Sequence, residues 1–222
     1  MKPTIPQLFV GDLRPLLPEG ELSGIFKALA DSPLILGPEG FAGDRQGDRE
    51  HHGGPEKALH QYPAEHYARL AAHRPGQAGA MNPGALGENL STLGWTEHNV
   101  CVGDIFRLGP CRIQVSQPRQ PCWKINRKLG DEDLARFIAD EGLTGWYYRV
   151  LEGGTVGPGD AFELVDRPAP EVSLARLWQA SHARKPERRE VEALLATPGL
   201  SPNWARKLAN KARVSWVDRP GS

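Results

Sequence analysis

Apolar and polar residues alternate one by one along Cys111-Arg112-Ile113-Gln114-Val115, the period of a strand with one face in a core. Strand-like runs surround it: Asn99 to Val102, Gly103 to Leu108, and the aromatic-rich Thr144 to Leu151. The pattern G-D-x-F-x-L at Gly103 to Leu108 returns at Gly159 to Leu164 and reads as one turn-and-strand edge used twice. Upstream, prolines and glycines break the chain as far as Phe41, leaving Ile25 to Lys27 and Leu34 to Leu36 as short strands. Pro63 opens a predicted helix running to about Ala72, and Asp131 is placed to cap a second from Glu132 to about Asp140.

Beyond Val165 the apolar spacing changes from two to three and four. Asp166 to Pro170 reads as a linker. Leu174, Leu177 and Trp178 follow a capping Ser173, Val191, Leu194 and Leu195 follow Pro186, and Trp204, Ala205 and Leu208 follow the Ser201-Pro202 start signal. Each of these three helices is short and must pack on its neighbours to persist. The expectation is a mostly β domain with short helices over residues 1–166 and a three-helix unit over 171–218.

Composition narrows the classes. With 27 basic and 27 acidic residues, the chain lacks the basic excess of a general nucleic-acid binder. No polymeric nucleic acid is expected as a partner, nor a membrane, because no apolar run approaches a span. Three cysteines without a signal-like N-terminus point to reduced thiols and a cytoplasmic protein. Charge is uneven, however: Glu171 to Ser222 holds ten Lys and Arg against five Asp and Glu. That basic face, with Arg206, Lys207, Lys211 and Arg213, is either a solvated helix surface or a dock for an acidic electron-transfer protein.

Three segments carry candidate chemistry. In Ser116-Gln117-Pro118-Arg119-Gln120-Pro121-Cys122-Trp123-Lys124, one cysteine stands between two cations, and such neighbours favour a reactive thiolate; a buried, inert cysteine is the plain alternative. The polar loop Gly43 to Gly54 continues into Pro55-Glu56-Lys57-Ala58-Leu59-His60. Arg45, Arg49, Lys57 and His60, with the amides of Gly53 and Gly54, suit an anion. His51, His52, His60 and His66 also raise a metal site, although their spacing matches no metal motif. In Gly87-Glu88-Asn89-Leu90-Ser91, Asn89 can both donate to and accept from a heterocycle, while a simple turn needs the same residues.

G-D-x-Q-x-D followed by H-G-G-P-E-K-A-x-H, then G-E-N-L-S, V-S-Q-P-R-x-P-C-W-K and T-G-W-Y-Y-R-V-L together resemble the MOSC domain, best its YiiM-like subfamily, over about Gly11 to Val165. The resemblance implies a barrel-like fold and a molybdenum cofactor, molybdenum held by the dithiolene of molybdopterin. It implies that Cys122 is the protein's metal ligand, to molybdenum, a role that suits a soft thiolate. Arg45, Arg49, Lys57, Asn89, Arg119 and Lys124 are then the expected cofactor-binding residues. The activity implied is reduction of N-hydroxylated compounds of the hydroxylaminopurine type, a detoxification. No cysteine remains for an iron–sulfur cluster, and 222 residues leave no room for a pyridoxal phosphate domain. An external electron donor, such as a flavoprotein reductase, is therefore expected. His60 is the expected proton donor, since histidine titrates near neutrality, with a structural hydrogen bond as its other use. Two other readings of Cys122 stand beside the reductase: a carrier of persulfide sulfur or of cofactor, and a Cys-His hydrolase, for which no orienting acid is evident.

Overall fold

The computed structural model describes residues 4–18, 20–47 and 53–217. Thirteen short strands occur there: β1 Gln7–Val10, β2 Arg14–Leu16, β3 Glu21–Ser23, β4 Ala28–Leu29, β5 Leu34–Gly37, β6 Gly40–Phe41, β7 Leu59–Pro63, β8 Leu90–Thr92, β9 Ile105–Leu108, β10 Cys111–Pro118, β11 Trp146–Glu152, β12 Gly154–Val156 and β13 Phe162–Asp166. Eight of them make one sheet in the order β13-β9-β10-β11-β7-β8-β1-β4. Thr4 exchanges two backbone hydrogen bonds with Phe162 of β13, while β1, just after it, pairs with β8. The N-terminal segment thus bonds to both flanks of the sheet and curls it toward a barrel.

The two G-D-x-F-x-L segments pair with each other. Phe162 lies opposite Leu108 and Leu164 opposite Phe106, and the rings of Phe106 and Phe162 stack 4.5 Å apart. The repeat is therefore one antiparallel ladder whose two strands bury the same kind of face. Trp95 meets Phe106 edge-on in the same core.

Among the described residues six α-helices lie outside the sheet: α1 His66–His73, α2 Trp123–Leu129, α3 Leu134–Asp140, α4 Leu174–His182, α5 Arg188–Leu195 and α6 Pro202–Val217. Three local expectations change. Pro63 ends β7 instead of starting a helix. Residues 99–102 are a turn segment whose only ladder contact is a bridge from Cys101 to Ser173, and Ile25 to Lys27 connects β3 to β4. Asp131 does not cap α3 in the expected way; it accepts from the Asp133 amide and pairs with Arg74. Helix α2, directly after Cys122, has too weak an apolar period to announce itself.

The last three helices share the main core. Trp178, Val191, Leu194, Trp204 and Leu208 belong to the same buried cluster as Val100, Val102 and Val115. The expected linker is ordered: Arg167 grips both carboxylate oxygens of Asp104, and Ala169 is buried. A second cluster, with Tyr62, Tyr67, Leu86, Ile125 and Leu129, packs α1 and α2 against the other end of the sheet. Among the described residues no helix is long and apolar enough to cross a membrane.

Candidate functional site

One cleft collects segments that are far apart in sequence. Its walls are Ser23 to Ile25 with Lys27, Asp44 to Gly47, Leu86 and Gly87 with Asn89, and Arg119, Cys122 and Lys124, with Lys57, His60 and Tyr147 contributed by the sheet side. Of the expected site residues, Arg45, Lys57, His60, Asn89, Arg119, Cys122 and Lys124 all line it. Arg49 lies outside the described residues, as do His51 and His52. His66 is elsewhere: it is buried and hydrogen-bonded to Glu97 at 2.7 Å. Among the described residues, no group of three or more His, Cys, Asp or Glu side chains is placed to hold a metal.

Cys122 occupies the residue before α2, in extended backbone, and is partly exposed, whereas Cys101 and Cys111 are buried. Burial pushes both of those thiols up, with Asp104 and Asp160 respectively adding to the effect. The two are inert at neutral pH; Cys122 alone reaches the cleft. The register shift in β10 between Val115 and Gln117, followed by two prolines, carries the chain out of the sheet toward it.

Arg119 is 4% exposed. Its Nη2 donates to the Leu86 carbonyl at 3.2 Å, while Nη1 has no hydrogen-bond partner. Burial works against its charge, but the neighbouring Tyr147 and Cys122, with a side-chain hydrogen bond to Tyr147, outweigh that, so the guanidinium holds its proton above the ordinary value. Burial raises the Tyr147 phenol, and Arg119 only partly offsets it, so Tyr147 is neutral at physiological pH. A buried cationic nitrogen without a partner is costly unless a ligand satisfies it.

His60 stands opposite Tyr147 in the β7–β11 ladder, with ring centroids 5.4 Å apart. Asn89 braces it from behind: the His60 amide donates to Asn89 Oδ1 at 3.1 Å, and the Asn89 amide donates to the His60 carbonyl at 2.7 Å. Asn89 Nδ2 reaches the Phe9 carbonyl and Asp44 Oδ2. The amide that looked suited to a heterocycle is thus engaged with the protein, where it fixes His60 and Asp44. Lys124 is similarly occupied: it is buried and pairs with Glu21 at 2.6 Å. Arg45 sits at the rim, two-thirds exposed, 3.6 Å from Asp12.

Sequence reasoning passed over two residues in this cleft. Lys27 forms a buried ion pair with Asp44, which also accepts from the Gly11 amide. Asp44 sits in the G-D-x-Q motif, but nothing near Lys27 marks it as a partner. Tyr147 was hidden inside an aromatic strand, and only its register with His60 reveals it.

A molybdopterin is an anion with a heterocyclic head, and its metal needs a thiolate. The cleft offers one accessible thiol, a partnerless buried guanidinium nitrogen, and Lys57 and Arg45 near its edge. These residues fit such a group.

A MOSC domain model matches residues 48–163, and a YiiM-like 3-alpha helix domain model matches residues 172–211. The chain belongs to the MOSC family. This MOSC protein is 41% identical to protein YiiM of Escherichia coli K12 over 198 residues, 89% of this chain and 88% of that one. A Gibberella moniliformis protein named reductase is 36% identical over 167 residues, 74% of this chain and 30% of that one. The crystal structure of Escherichia coli YiiM superposes with a TM-score of 0.83 at 32% identity, covering 99% of this chain and 96% of that one. MOSC domains are associated with the molybdenum cofactor.

Proposed function

We propose that this protein binds a molybdenum cofactor in the cleft beside Cys122 and reduces N-hydroxylated compounds of the base-analogue type. The observation that carries the reading is the pairing of the accessible Cys122 thiol with the buried, partnerless Arg119 Nη1 in one cleft. The name of the fungal relative, a reductase, agrees with it.

In this reading Cys122 ligates the metal, Arg119 donates through its free nitrogen to an anionic or carbonyl oxygen of the cofactor, and Lys57 and Arg45 hold its phosphate. Arg49, in the same basic loop, takes part in that hold. When bound, the group supplies two electrons at the substrate's N–OH bond. Two protons complete the change, giving an amine and water. His60 delivers a proton: it lines the cleft, its backbone is fixed by Asn89, and imidazole transfers protons well near neutrality. Tyr147, held neutral by burial, keeps that side of the cleft uncharged. Electrons come from an external flavoprotein-type donor. The protein acts in the cytoplasm on small molecules.

Loading the protein with cofactor and measuring molybdenum, pterin and hydroxylaminopurine reduction tests this directly. Cys122→Ala is expected to lose bound molybdenum and at least about 100-fold in turnover. Full retention of both would overturn the reading. A mass gain of one sulfur on Cys122, without reduction of any N-hydroxylated substrate, would favour a sulfur carrier instead.

A further inference from the structure

Helix α2 begins one residue after Cys122, and its last turn carries a half-buried lysine. Lys128 Nζ donates to three backbone carbonyls at once: Ile25 at 2.9 Å, Gly84 at 3.3 Å and Ala85 at 2.7 Å. Ile25 belongs to one wall of the cleft. Gly84 and Ala85 lead directly into Leu86 and Gly87, a second wall, and the Leu86 carbonyl is the one that receives Arg119. Lys124, one turn earlier on the same helix face, pairs with Glu21 at the other end of the Glu21 to Ile25 segment. The helix that presents the thiol thus grips both walls through a pair of lysines.

We propose that Lys128 is a positioning residue: its ammonium holds the Ile25 wall and the Gly84 to Leu86 turn in register with the helix that starts at Cys122, and so sets the cleft's shape and the seat of Arg119. Three carbonyl acceptors suit a charged donor and leave a neutral amine short of one hydrogen. The side chain is not among those that line the cleft itself. The clamp does not depend on the reductase reading, because it concerns the walls of the cleft whatever binds there.

The surroundings of Lys128 couple the clamp to pH. Burial lowers its proton affinity from the ordinary value to about 8; Glu88 in the adjoining turn opposes this, and Lys27 beyond Ile25, Arg119 in the Cys122 loop and Arg14 in β2 add to the lowering. The ring of Phe26 lies 5.5 Å from the nitrogen.

Hydrogen exchange read by mass spectrometry on the full chain tests the clamp, comparing wild type, Lys128→Met and Lys128→Arg. At pH 7 the Met variant is expected to lose protection by roughly tenfold or more in residues 23–27 and 84–89 together, while β9 and β10 stay unchanged. The Arg variant retains most of it. In wild type, opening that frees Lys128 to water takes up a proton above about pH 8, so the same two segments are expected to gain protection between pH 7 and pH 9, after correction for the faster chemistry of exchange, and the Arg variant is expected to stay level. Unchanged protection in both segments of the Met variant, loss confined to α2, or a flat wild-type profile to pH 9 would each overturn the clamp. If the variants fail to fold, the wild-type pH series decides alone.

Discussion

Gly145 shows how tightly single residues fix the cleft. Its φ is +64°, and a Cβ built there would stand 2.4 Å from the Gln61 carbonyl oxygen and 3.0 Å from His60 Nε2. Its amide donates to buried Glu97, which also holds His66, and its carbonyl receives the Arg119 amide. Gly145→Ala is therefore expected to cost about 2 kcal/mol, from left-handed backbone strain and a displaced His60. Chemical denaturation measures the loss. A shift of the His60 ring signals in an NMR spectrum shows the displacement, and unchanged signals would count against the packing described.

At the scale of elements, Ser201 joins the helical unit to the strand that leads to Cys122. It caps α6 through the Trp204 amide, donates to Gln117 Oε1 at 2.7 Å, and its own amide donates to the Ser116 carbonyl. Ser201→Ala removes the cap and leaves the buried Gln117 oxygen without this donor. The expected cost is about 2 kcal/mol, read from thermal unfolding. A cost no greater than that of an exposed cap would show that the bond to Gln117 contributes nothing. Lys207, on the same helix, reaches Gln120 in the Cys122 loop and lies over the Trp204 ring. Its head is turned toward the loop and not outward to a partner, and burial lowers its proton affinity. The cations remaining for an acidic donor on this face are Arg206, Lys211 and Arg213. Reversing Arg206 and Lys211 to Glu is expected to slow donor-dependent turnover roughly tenfold at low salt, with little effect when a chemical reductant is used. Equal rates with the protein donor would remove this surface from consideration. Deleting residues 171–222 is a poorer probe, since it would strip one side of the shared core.

For the whole molecule, the buried charges around the cleft tie stability to pH. Lys128 has a folded value of about 8 against an ordinary 10.5, so above about 8 the unfolded chain binds more protons than the folded one. The sign follows: its contribution is complete above pH 10.5 and is lost as pH falls through 8. The stability difference between wild type and Lys128→Met is expected to grow across that window, by about 3 kcal/mol as an upper bound. Denaturation at pH 7.5, 9 and 10 measures it. A difference independent of pH would mean that Lys128 is more exposed to water than its contacts indicate. Opening of the cleft walls that frees Lys128 to water follows the same sign, so local protection and global stability rise together with pH.

Local order was already written in the chain. The alternation at Cys111 to Val115, the aromatic run ending in β11, and the Ser173 and Ser201 caps appear as read, because period and capping act over a few residues. Motif order carried the family, and with it seven of the described cleft residues. What the sequence left open involves partners distant along the chain. The Lys27–Asp44 pair, the meeting of Tyr147 with His60, the diversion of Asn89 and Lys124 to protein partners, and the three carbonyls around Lys128 come from sheet register and helix placement. Pro63 ends a strand because its neighbours in β11 and β8 claim Leu59 to Pro63, a tertiary pairing stronger than the local helix signal. Sequence alone determined which chemical groups were available and the local backbone of most elements. Only the packed fold decided which groups face the cleft with unmet hydrogen-bonding capacity, since that depends on burial against residues up to a hundred positions away.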